Sequence, residues 1–83
     1  MTFQAYLDAV EDKTGLTPRQ LIAIAHDKGL DAPGVKAGAI LEWLTNDYGL
    51  GRGHGMSIVH IIQKGAAHPV EPIWLDGKAT KPV

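Results

Sequence analysis

An all-α fold is what the sequence predicts: a compact four-helix domain over residues 1–65 and an extended, partly docked C-terminal tail over 66–83. Apolar residues recur at three- and four-residue spacing, the period of a helix face. Capping residues and glycines bracket these runs where helices begin and stop. After Gly65 the pattern breaks, and Pro69 and Pro72 forbid a regular helix there.

Thr2 fits an N-cap, since its hydroxyl can accept from an unpaired amide of a first turn. Phe3, Tyr6, Leu7 and Val10 then make one helical stripe, with Asp8, Glu11 and Asp12 on the other side. Gly15 closes this first helix, predicted over 2–14. Thr17-Pro18-Arg19-Gln20 is the sharpest local signal: threonine caps, proline suits the first helical position, and Gln20 reaches back as a capping box. Leu21, Ile22, Ile24 and Ala25 give the apolar face of a second helix over 18–28, stopped by Gly29. His26 and Lys28 in its last turn suit the helix dipole, and His26 reads as a solvated C-terminal residue.

Asp31-Ala32-Pro33-Gly34 is a turn, with Asp31 expected to cap a third helix over 36–46. There Ile40, Leu41, Trp43 and Leu44 face inward. Trp43 is expected in the core with its indole edge near a polar partner, rather than exposed as a stacking platform for a base. Met56, Ile58, Val59, Ile61 and Ile62 mark a fourth helix over 53–64. Their β-branching leaves a strand open on composition, but the flanking Gln63 and Lys64 and the length favour a helix. Apolar most of the way round, it is expected to be the central, most buried element. In the tail, Ile73-Trp74-Leu75 is too apolar to float, so it docks on its own domain or on a neighbouring subunit. Asp76-Gly77 signals a turn, and Lys78 to Val83 reads as a disordered end.

With 83 residues, the chain makes one domain. Such a domain buries only about 60% of its unfolded surface, and small cores often gain stability by self-association. A homodimer held through Ile73, Trp74 and Leu75 is therefore expected. No apolar run approaches the ~20 residues of a membrane span, and the start lacks the basic and apolar regions of a signal peptide. The absence of cysteine excludes disulfides and cysteine-based zinc sites. The expected compartment is the cytoplasm of a bacterial cell. A net charge of −1 gives no general attraction to nucleic acid or anionic lipid.

The chain is organised around Gly49-Leu50-Gly51-Arg52-Gly53-His54-Gly55-Met56, between its two strongest apolar segments. One reading is a tight interhelical turn with Leu50 tucked into the core. A second is an anion site, in which free amides at a helix start join Arg52 and His54. It is not a P-loop, because the Gly-Lys-Ser/Thr ending is missing. A third is a hairpin resembling the helix-hairpin-helix class of DNA-binding elements, although Asp47 and Tyr48 stand where Leu-Pro is usual. His54 and His60 are six apart, whereas two ligands on one helix face want three or four, so no metal is expected. Ser57 has no nucleophile-elbow context, and nothing fixes a pocket beside an Asp47–His54 acid/base pair.

Phe3-Gln4-Ala5-Tyr6-Leu7, Lys13-Thr14-Gly15, Thr17-Pro18, Val35-Lys36-Ala37-Gly38, Trp43-Leu44 and Gly49-Leu50-Gly51-x-Gly53-His54 together resemble a small bacterial domain-of-unknown-function family, the one numbered forty-two eighty-seven. The resemblance spans about residues 2–64. It implies a compact helical domain, sometimes fused to other small domains, and supplies no activity or catalytic residues. Members often carry Ala where Gly55 stands here. The expected function is a non-enzymatic binding or interaction module without cofactor or metal, with Gly51, Arg52, Gly53 and His54 contacting an anionic group or partner. A DNA-binding hairpin is the alternative, and a small enzyme using His54 a weaker one.

Overall fold

The computed structural model describes residues 3–64 and 73–80. Four helices follow in order, α1 (Phe3–Thr14), α2 (Pro18–Asp27), α3 (Ala37–Tyr48) and α4 (Arg52–Lys64), and a 3-10 turn, Lys78–Thr80, comes after them. No strand occurs among the described residues. The predicted cap at Thr2 lies outside the described residues, as do Gly65, His68, the two prolines of the break and the last three residues of the chain.

Each helix has the local cause that its sequence advertises. Thr17 accepts from the amide of Gln20 at 3.2 Å, and the Gln20 side chain accepts from the amide of Thr17 at 2.8 Å, so the capping box is closed. Gly15, Gly29 and Gly49 sit at φ of +74°, +75° and +67° and end the first three helices, a conformation that costs other residues. Helix α3 is two residues longer at its C-terminus than the expected 36–46, because Asp47 and Tyr48 continue it up to Gly49.

Helix α4 packs against all three others, in line with its apolar circumference. Gly55, Ser57, Ile58, Val59 and Ile61 are its buried residues. They meet Leu7 and Val10 of α1, Leu21 of α2, and Ile40 and Leu44 of α3 in one core. Leu50, from the α3–α4 corner, joins them at 1% exposure.

Three expectations are corrected. Asp31 does not cap α3: it lies six residues before Ala37, and its carboxylate instead meets the Nδ1 of His26 at 2.6 Å. The N-cap of α3 is Lys36, whose side chain makes no cap bond. Trp43 is half-buried edge-on to Tyr48, with ring centroids 5.6 Å apart, and its Nε1 is buried with no partner among the described residues. Lys78–Thr80 is not a loose end but an ordered 3-10 turn held to α1, since Lys78 donates its amide to Glu11 at 2.9 Å.

The apolar tail triplet takes the first of its two expected destinations, its own domain. Leu75 is 6% exposed and belongs to the core, and Ile73 packs against it. Within the single chain, Ile73 and Leu75 are thus engaged with the helical core.

His26 has its pKa raised by the hydrogen bond to Asp31 and then by that carboxylate's charge. A raised value means the pair favours folding below the unfolded value of about 6.5 and loses that contribution as pH rises through the folded value. Being exposed, the pair adds little to stability. Asp31→Asn is expected to bring the His26 titration, followed by NMR, down toward about 6.5. A His26 pKa unchanged by that substitution would contradict the pairing.

Candidate functional site

The α3–α4 corner is half closed and half open. On the α3 side, Gly49 donates to the Thr45 carbonyl at 2.9 Å and Leu50 donates to that of Leu44 at 3.4 Å. The Thr45 hydroxyl donates back to the Leu50 carbonyl at 3.0 Å. Leu50 fastens the corner from beneath. On the α4 side, the helix begins at Arg52, and the first helical bond runs from the Gly55 amide to the Gly51 carbonyl at 2.8 Å. The amides of Gly51, Arg52, Gly53 and His54 precede that bond. They have no acceptor among the described residues, the usual state of a first turn without a side-chain cap.

Gly51, Arg52 and Gly53 are exposed. A Cβ on Gly51 would meet nothing within 4 Å. Arg52 makes no ion pair among the described residues, and the first turn of α4 holds no acidic residue. The corner therefore joins the positive end of a helix to one unspent guanidinium.

His54 is placed differently from Arg52. Its ring is half-buried and stands edge-on to Tyr6 of α1, with centroids 5.4 Å apart. His60 stands edge-on to Phe3 in the same way at 5.5 Å. Phe3 meets the later histidine and Tyr6 the earlier, so α1 and α4 run in opposite senses across this contact. Between them lies a shallow groove of about 340 Å³ lined by Phe3, Tyr6, Gly53, Met56, Ser57 and His60. The aromatic wall of this groove was legible only as a core stripe in the sequence, because the α1 period does not say which turns of α4 it will face.

The structure does not bring Asp47 and His54 together: no bond joins them, and His54 is engaged with Tyr6 instead. Ser57, 5% exposed, donates its hydroxyl to the His54 carbonyl at 2.6 Å, a bond within its own helix. No group of three or more His, Cys, Asp or Glu able to hold a metal occurs among the described residues. No helix among the described residues is long and apolar enough to cross a membrane.

The fold and corner define a small all-α domain built on a glycine hairpin. The family model described as a domain of unknown function, DUF4287, matches residues 2–64, and the chain belongs to that family. That span covers the four helices and stops before the described part of the tail. No curated protein and no solved structure matches the chain.

Gly55 explains how α3 and α4 come so close, since a Cβ there would collide with Cδ1 of Leu41. The obstacle is the tip of a half-buried, flexible side chain. Gly55→Ala is expected to leave stability within about 1 kcal/mol of the parent, the gain in helix propensity offsetting the displaced Leu41. Gly55→Val, which cannot be absorbed by one rotamer change, is expected to cost about 1–3 kcal/mol. Urea denaturation midpoints measure both.

Proposed function

We propose that this chain is a non-enzymatic binding module whose contact point for an anionic group is the start of α4. The observation that supports it is the run of four amides, Gly51 to His54, on exposed or half-buried residues, left without acceptors among the described residues beside an Arg52 that makes no ion pair there. Helix N-termini of this kind suit phosphate and carboxylate groups, because several N–H dipoles and the helix dipole converge on one negative charge. Arg52 supplies a guanidinium able to grip two oxygens. His54 supports the corner through Tyr6 and adds its own backbone amide.

A titration with inorganic phosphate, followed by amide NMR, tests this reading. The amides of residues 51–54 are expected to shift together and saturate, and Arg52→Ala is expected to weaken binding about tenfold, ~1.4 kcal/mol. Unmoved amides, or an affinity indifferent to Arg52, would remove the proposal.

A second reading is favoured by the geometry of α3 and α4. They pack as a pair joined through Gly49-Leu50-Gly51, the arrangement that a helix-hairpin-helix DNA element needs. The anion would then be a backbone phosphate. The net charge of the chain is −1, so affinity would rest on few phosphate contacts. Gel shifts at low and moderate salt separate the readings. DNA binding should fall steeply with salt and be lost in Arg52→Ala, while no shift at low salt leaves the small-anion reading alone.

A further inference from the structure

The described tail, 73–80, is held by the family domain as a bound peptide is held. Gln4 of α1 grips the backbone of Trp74 at two points: its Nε2 donates to the Trp74 carbonyl at 2.9 Å, and its Oε1 accepts from the Trp74 amide at 2.6 Å. The amide of Arg19, in the first turn of α2, donates to the Leu75 carbonyl at 3.0 Å. The Arg19 side chain pairs with both oxygens of Asp76, at 2.5 and 3.3 Å. Glu11 accepts from the amide of Lys78. Backbone recognition thus runs along the segment, and Leu75 is the anchor driven into the core.

The surface is also selective. Gly77 is buried at φ +99°, and a Cβ there would stand 3.3 Å from both Glu11 Oε2 and Thr17 Cγ2. The site therefore favours an occupant with an apolar anchor where Leu75 sits, a carboxylate facing Arg19 and glycine at the position of Gly77. All the gripping residues, Gln4, Glu11, Thr17 and Arg19, lie within the matched family span of 2–64, and the segment they grip lies outside it.

We infer that α1 and the start of α2 form a docking groove for a Leu-Asp-Gly segment, filled in cis at rest and open to the same segment of a second copy of this chain. Exchange keeps every contact named above and changes only which chain supplies the segment, which makes it a low-cost route to a dimer. The site is separate from the α4 corner, and its test does not involve Arg52. The tethered segment competes at an effective concentration of order millimolar, so exchange shows only when that competition is removed.

Two full-length variants with complementary lesions test it. Gly77→Val spoils the segment and leaves the groove whole; Gln4→Ala with Arg19→Ala spoils the groove and leaves the segment whole. Each alone is expected to sediment as one chain. Mixed, they are expected to associate at least about tenfold more tightly than either self-associates, as a two-chain species. Chain-mass sedimentation of the mixture up to ~1 mM overturns the inference. Leu75→Ala replaces Gly77→Val if that variant does not fold. As an independent arm, a labelled peptide of residues 73–80 is offered to the parent and to the segment variant. Tighter binding by the variant supports the groove, and equal binding of a peptide carrying Gly77→Val overturns it.

Discussion

The structure depends on Leu50 being buried inside a corner that is otherwise almost without side chains. Gly49 must turn left-handed to bring Leu50 inward, and that turn ends α3. Gly51 must leave the core at once for α4 to begin at Arg52. One apolar side chain therefore fixes the end of one helix, the start of the next and the angle between them. Once α4 is aimed, its apolar circumference collects α1, α2 and α3 around it. The exposed amides at its start follow from the same constraint. A residue buried at the corner cannot also cap, and neither flanking glycine has a side chain to do so.

What was legible in the sequence is what local physics decides. The capping box at Thr17 and Gln20, the left-handed glycines after α1 and α2, and the inward stripe of Leu7, Val10, Leu21, Ile40 and Leu44 all express short-range rules. What was not legible depends on residues distant in sequence. Nothing near Trp74 announces that Gln4, seventy positions earlier, will hold its backbone. In the sequence Asp31 reads only as a helix cap, but it lies six residues before Ala37, and its pairing with His26 across the turn is not visible from the capping pattern. The indole nitrogen of Trp43 is buried without a partner among the described residues, an outcome that the helical period does not encode. Of the four corner residues singled out by glycine spacing, Arg52, Gly53 and His54 open α4 and Gly51 immediately precedes it. The division of labour between Arg52 and His54 was hidden, since it rests on the position of Tyr6 in α1.

Two helix starts in the same small domain are treated in opposite ways. At α2, the Thr17 hydroxyl takes the Gln20 amide and the Leu75 carbonyl takes the Arg19 amide, while the Arg19 side chain is committed to Asp76. At α4, the corresponding amides and Arg52 remain uncommitted among the described residues. The positive end of α2 is consumed by the fold and that of α4 is left to solvent. This contrast, inside a family defined only as a domain of unknown function, is what makes the α4 corner the place to look for a ligand.

The two indoles give the molecule an internal pair of reporters. Trp74 donates its ring nitrogen to the Gly77 carbonyl at 2.9 Å and to the Thr80 hydroxyl at 3.2 Å, so its proton is protected only while the end of the chain stays seated. The ring nitrogen of Trp43 has no such bond among the described residues and is shielded by the packing of its ring against the core and Tyr48. Solvent exchange at the first therefore times the release of the strap, and exchange at the second times the opening of the helical body. Two events that a single melting curve would merge are kept apart by the chemistry already present.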